Sequence, residues 1–224
     1  MTAERPQLPP APESQKTETR LPRIKPMFPA KTDSLPANLA GWIAETKFNG
    51  MRTQIRISQT NIEIVTRGGN NVSESFPGLQ PGLLALAKNH SALILDGEII
   101  FGEGKSETDR YKVTGRAGAH PKTLQGEAFS FAAFDILYRN GQRLTSLPLI
   151  ERKKILNRLL NASFRRKNPN IGPNHFVQGR KAITSFNQVV QTQGREGIVL
   201  KAKDSHYLTF SPSQFLPTLP GWET

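Results

Sequence analysis

The 224-residue sequence predicts an α+β fold built mainly of antiparallel strands. Two observations carry that class. Short apolar runs alternate with period two, as half-buried strands do. Between them lie segments with apolar residues at helical spacing, and a few helices set among such strands suggest α+β. No internal repeat is visible.

The N-terminus is polar and proline-rich, with seven of the 17 prolines before residue 30. It buries too little apolar surface to offset its ordering entropy. Residues 1–25 are therefore expected to form a disordered arm, with one domain over 26–210 and a tail over 211–224. Thr53–Ile57 and Ile62–Thr66 alternate around a turn at Ser58–Asn61 and predict a hairpin. Leu79–Lys88 predicts a helix. Leu93–Phe101 predicts a buried strand interrupted by Asp96 and Glu98, and Phe129–Leu137 another interrupted by Asp135. Leu149–Leu160 predicts a helix with Ser146 as N-cap and Pro148 near the first turn. A weaker helix pattern covers Ala182–Thr192, and Gly197–Lys201 predicts a short final strand.

Thirty Lys and Arg against 18 Asp and Glu give a net charge of +12, which points to a polyanionic partner. Nine of those charges fall in 151–204. Each cation there can be a solvated surface residue; as a stripe, they suit phosphate neutralisation. The absence of cysteine excludes disulfides, Cys-ligated zinc, iron–sulfur clusters and a thiol nucleophile. No apolar run approaches the roughly 20 residues that span a bilayer, so no membrane partner is expected.

Asp96, Glu98 and Asp135 interrupt apolar strands. Buried carboxylates are costly unless paired or metal-bound, so either a salt bridge or a ligand role accounts for them. Glu45-Thr-Lys47-Phe-Asn-Gly50-Met-Arg52 sets a lysine between an acid and an arginine. Glu196 and Lys201 flank a short apolar strand at an odd spacing, which places them on opposite faces unless Gly197 bends the chain.

In order, these segments resemble the nucleotidyltransferase domain of ATP-dependent DNA ligases, a superfamily shared with RNA ligases and capping enzymes. Lys47-Phe-Asn-Gly-Met-Arg52 is similar to the Lys-x-Asp-Gly-x-Arg motif. Thr66-Arg67-Gly-Gly with Phe76-Pro77, Leu95-Asp-Gly-Glu98, Phe134-Asp-Ile-Leu137, Pro148-Leu-Ile-Glu-Arg152 and Glu196-Gly-Ile-Val-Leu-Lys201 follow, then Ser205 and Tyr207. The resemblance covers roughly residues 26–207 and leans toward the bacterial end-joining repair type.

The resemblance implies an ATP-grasp-like ligase catalytic domain, a lysyl-AMP intermediate on Lys47, and transfer of AMP to a 5′-phosphate at a break in double-stranded DNA. It implies that Glu45, Arg52, Arg67, Glu98, Phe134 and Lys201 bind the nucleotide. Glu45 would read the adenine amino group and Phe134 would stack on the base. Glu98 and Glu196 would hold Mg²⁺. Neighbouring cations Arg52, Arg67 and Lys201 would favour the neutral Lys47 amine. Asp96 and Asp135 are supporting residues, and Gly50 and Gly97 are expected to let backbone approach the nucleotide. A cytoplasmic, nucleoid-associated location follows from the same likeness, and the Pro-rich arm suits a repair partner.

The sequence departs from the family pattern in two ways. Position 49 is Asn where the family usually has Asp. No lysine follows Lys203, so the final Lys-x-Lys motif is missing and no C-terminal OB-fold is expected. An RNA ligase, a capping-type nucleotidyltransferase and a catalytically impaired nucleotide- or nucleic-acid-binding module are the alternatives.

Overall fold

The computed structural model describes residues 21–29, 36–118 and 128–208, and the backbone of 222–223. The arm expected over residues 1–20 lies outside the described residues, as does most of the expected tail.

The strands are β1 (Trp42–Thr46), β2 (Met51–Ile57), β3 (Ile62–Thr66), β4 (Leu93–Phe101), β5 (Phe129–Arg139), β6 (Gln142–Arg143), β7 (Ile171–Pro173), β8 (Phe176–Gln178), β9 (Ile198–Ala202) and β10 (Trp222–Glu223). The helices are α1 (Gln80–Asn89), α2 (Glu107–Ala117), α3 (Leu149–Leu159), α4 (Ala162–Lys167) and α5 (Arg180–Thr192). One sheet runs β10-β9-β1-β8. The other runs β3-β2-β4-β5-β6, with β7 also on β5. The pairings are antiparallel except β5 with β7.

Alternation along β2 and β4 divides the larger sheet into two unlike faces. Ile55, Ile57, Leu93, Leu95 and Ile99 join Leu83 of α1 and Leu156 of α3 in the main core. The β2 residues of the opposite parity are Arg52, Gln54 and Arg56, and those of β4 include Asp96 and Glu98. Strand β5 supplies residues to the cores on both faces, which explains its nearly unbroken apolar run. Under the smaller sheet, Ile183 and Val190 of α5 pack with Ala44 and Leu200. The β5–β6 hairpin turns at Asn140 and Gly141, both at positive φ (46° and 91°), as a tight two-residue turn requires.

Residues 21–25, expected to end the arm, instead pack on the larger sheet as the start of a strap over Leu21–Pro29. Ile24 and Met27 are buried. Gln54 Nε2 donates to the Ile24 carbonyl (3.0 Å) and Arg56 donates to the carbonyl of Pro22 (3.2 Å). The polar face of β2 thus satisfies a strap that lacks regular structure of its own. Trp222–Glu223, placed in the expected tail, pair with β9.

Other boundaries also move. The N-cap of α3 is Pro148, not Ser146. Helix α5 starts two residues early, at Arg180. Helix α2 was not expected, since it buries only Val113 and Arg116; a reciprocal capping box between Ser106 and Asp109 holds its start. Asp135 and Arg152 form a fully buried bidentate pair (2.8 and 3.0 Å) that ties α3 to β5.

Candidate active site

A cleft of about 470 Å³ is lined by residues of both sheets. Seven of the eight expected site residues meet there: Glu45, Lys47, Arg52, Glu98, Phe134, Glu196 and Lys201. Arg67 does not. Its guanidinium lies over the ring of Phe28 (4.1 Å to the centroid) and borders a separate groove.

Lys47 follows β1, and its backbone N–H donates to the Gly197 carbonyl (3.0 Å) across the β1–β9 edge. Gly197 has φ +138°, a conformation L side chains rarely adopt. This bend answers the odd spacing of Glu196 and Lys201. Glu196 pairs with the Lys47 ammonium, while Lys201 reaches Glu45 within the same cleft.

Asn49 anchors the loop between β1 and β2. Its N–H donates to the Gly104 carbonyl (2.9 Å) and its Nδ2 to the Lys105 carbonyl (3.0 Å). An aspartate side chain has no N–H to give the Lys105 carbonyl, so the departure at position 49 serves a local hydrogen bond. The protein's own packing already requires Gly50, which lines the cleft, and Gly97. A Cβ at Gly50 would lie 2.2 Å from the Ile99 carbonyl oxygen, and one at Gly97 would lie 2.4 Å from the Phe131 ring.

The Glu45 carboxylate is 1% exposed. One oxygen pairs with Lys153. The other accepts from Lys201 (2.8 Å) and Asn174 Nδ2 (3.4 Å). Lys153 and Lys201 are both buried, so two ammonium groups share one carboxylate. Burial pulls the Lys201 amine down to about 8, against the pull of Glu45 and with the help of Lys153 repulsion. Lys201 Nζ lies 4.5 Å and Arg52 Cζ 5.1 Å from the Phe134 ring centroid, which places two cations on that aromatic.

Arg52 grips Asp96 through Nη2 (2.7 Å) and Nε (3.3 Å) and donates to the Met27 carbonyl. Tyr207 donates to Asp96 (2.5 Å) and accepts from the Met27 N–H (3.0 Å). The carboxylates on β4 and β5 therefore divide by role: buried Asp96 and Asp135 take salt bridges, while Glu98 lines the cleft.

Glu98 accepts from the Gly50 N–H (3.1 Å). Burial pushes its carboxyl up to about 7, partly opposed by Arg52 and that N–H. A raised acid binds its proton more tightly folded than unfolded. Its stabilising contribution is full below pH 4.5 and is lost as pH rises through 7. In metal-free buffer, wild-type stability measured by urea unfolding should fall across that window more steeply than that of Glu98→Gln. Equal slopes would refute this.

No cluster of three or more His, Cys, Asp or Glu able to hold a metal occurs among the described residues. The cleft offers two carboxylates, Glu98 and Glu196, around Lys47, whose charge Glu98 feels. Hard oxygen donors in small number fit Mg²⁺, whose shell is completed by water and phosphate rather than by a protein cage.

Lys153 and Asn174 escaped the sequence reading. Of the basic stripe, Arg152, Lys153 and Lys201 are buried rather than on the surface, and Lys201 lines the cleft. The only sequence signal for Lys153 was its place beside Arg152 in the Pro-Leu-Ile-Glu-Arg helix start.

The family model for the ATP dependent DNA ligase domain matches residues 26–213. The bifunctional non-homologous end joining protein LigD of Bacillus subtilis (strain 168) is 31% identical over 196 residues, covering 81% of this chain and 31% of that protein. A probable DNA ligase of Dictyoglomus turgidum is 28% identical, covering 80% and 31%. The chain thus spans about a third of the length of these relatives. The ligase domain of LigD from M. tuberculosis superposes with a TM-score of 0.64 at 23% identity, covering 89% of this chain and 59% of that one. A mycobacterial DNA ligase D complexed with ATP and MES gives a TM-score of 0.63 at 19% identity, covering 89% and 59%. No described helix is long and apolar enough to cross a membrane. Motif order, fold and match agree, and the chain belongs to the ATP-dependent DNA ligase domain family.

Proposed function

We propose that this domain forms a lysyl-AMP intermediate from ATP and passes AMP to the 5′-phosphate at a break in duplex DNA, in end-joining repair. The observation that carries the reading is the convergence of Lys47, Glu98, Glu196, Phe134 and Lys201 in one cleft. The neutral Lys47 amine attacks the α-phosphorus. A P–N bond forms, the bond from Pα to the bridging oxygen breaks, pyrophosphate leaves and the amine gives up a proton. An oxygen of the DNA 5′-phosphate then attacks the same phosphorus, the P–N bond breaks and the Lys47 amine regains a proton. The 3′-hydroxyl attacks the 5′-phosphorus, gives its proton to solvent, and AMP leaves as the strand is joined.

Each residue contributes a distinct interaction. Phe134 offers a face to the adenine. Glu45, held by Lys153, Lys201 and Asn174, is fixed for reading the base edge. Lys201 sets positive charge at the cleft wall where phosphate charge develops. Glu98 and Glu196 would hold Mg²⁺, which when bound neutralises phosphoryl oxygens. Glu196 must release the Lys47 ammonium before attack, so nucleotide loading exchanges that ion pair. Arg52, committed to Asp96 and Tyr207, acts on the ribose side from a braced position. Arg67, placed across Phe28, is not assigned to the nucleotide.

The test is intact-mass analysis after incubation with ATP or GTP and Mg²⁺, followed by nicked DNA or nicked RNA. An AMP adduct from ATP, discharged by nicked DNA, is expected. A GMP adduct or discharge only by RNA would favour the capping or RNA-ligase reading, and no adduct would favour a binding module.

A further inference from the structure

A second groove, of about 670 Å³, runs between the strap and the outer face of the β2–β3 hairpin. The strap provides Arg23 and Lys25. Arg56 of β2 lies in the groove, and Arg67, just beyond β3, borders it. Glu63 is the one carboxylate in the lining, and it is drawn to Arg56 at 3.7 Å. Four cations against one acid leave an excess positive charge. Arg23 and Arg56 are near enough to repel: that repulsion adds to burial in pulling the Arg56 guanidinium down. Arg23 and Lys25 are exposed and have no carboxylate partner among the described residues. Like charges held together at a surface, with neutral polar side chains such as Gln54, Ser58 and Asn61 between them, fit a ligand of repeating negative charge.

The lining narrows the ligand class. No aromatic side chain lines this groove, so it has no platform on which unpaired bases would stack. A nucleotide base or a single strand would need one; the backbone of a duplex does not. The groove also leads toward the active-site cleft. Phe28 lies between Arg67 at the groove and Arg52 at the cleft, 4.1 and 5.5 Å from its ring centroid.

We propose that this groove docks the phosphodiester backbone of duplex DNA beside the break presented to Lys47. The choice of duplex DNA rests on the ligase reading above, whereas the cation arrangement does not. The surface differs from the basic stripe read from the sequence, three of whose cations are buried.

The test is fluorescence anisotropy of a fluorescein-labelled nicked duplex with the full chain, without ATP, over a KCl series. Arg23→Gln/Lys25→Gln is compared with wild type and with Lys154→Gln/Arg158→Gln on the exposed side of α3. Each phosphate contact contributes about 0.9 to the slope of log affinity against log salt. The groove variant should therefore lower that slope by about 2, with the thermal melt and AMP adduct formation unchanged, while the α3 variant keeps the wild-type slope. An unchanged slope in the groove variant, or a loss confined to the α3 variant, would overturn the proposal. So would equal losses on a single strand and on the duplex. A wild type that forms no AMP adduct yet shows the slope loss would overturn the enzymatic reading and leave the groove standing.

Discussion

Lys47→Ala should abolish transfer of label from α-labelled ATP, a loss on the order of 10³-fold or more, as for removal of other enzymes' nucleophiles. The side chain is 29% exposed at the cleft mouth, outside the packed clusters. Its ion pair with Glu196, itself 40% exposed, is worth at most about 1 kcal/mol at such a site. The thermal melt should therefore stay near wild type while labelling disappears. Lys47→Arg should be equally inactive, because a guanidinium does not deprotonate in proteins and offers no free amine. Intact-mass analysis separates the outcomes. Label retained in either variant would move the nucleophile elsewhere.

The elements most legible in the sequence were those whose local pattern and tertiary role agree. Leu93–Phe101 came out with its ends as expected, and α3 differs only at its last residue and its cap. Strand β1 leads directly into the site lysine yet was not identified, since Trp42–Thr46 is short and three of its five residues are buried, which masks alternation. Helix α2 hid for the opposite reason, being polar nearly all round and visible only in its cap. At the site, motif spacing gathered seven of the eight expected side chains but could not tell which acid a given cation would choose. Asp96 takes Arg52 and Asp135 takes Arg152, leaving Glu98 on the cleft. That partition depends on register and on two irregularities in the β4–β5 ladder, at Ile94/Leu95 and Asp96/Gly97. A one-residue slip exchanges the faces of a strand, and no single-strand pattern reports it. The strap was missed because its order comes from donors on β2, outside its own composition.

Glu45→Gln tests the part of the site that is most buried. In wild type, Lys153 and Lys201 both rest on one carboxylate that is 1% exposed. Glutamine keeps the shape and removes the charge, so two buried ammonium groups lose their counter-ion. Breaking a buried ion pair from one side typically costs about 3–5 kcal/mol, and a loss of that size at pH 7 is expected in urea unfolding. The loss should depend on pH. Lys201 is lowered from 10.5 to about 8 in the folded protein, so its stabilising contribution is present above 10.5 and is lost as pH falls through 8. Above pH 8 the Lys201 amine is neutral even in wild type and gains little from Glu45. The deficit of the variant should therefore shrink from pH 7 to pH 9. Adding Lys153→Met to Glu45→Gln removes one of the stranded charges and should recover part of the stability, a coupling that a double-mutant cycle isolates. A pH-independent deficit below about 1 kcal/mol, the range of exposed pairs, would mean that water reaches these lysines and that the carboxylate does not hold the wall of the cleft in place.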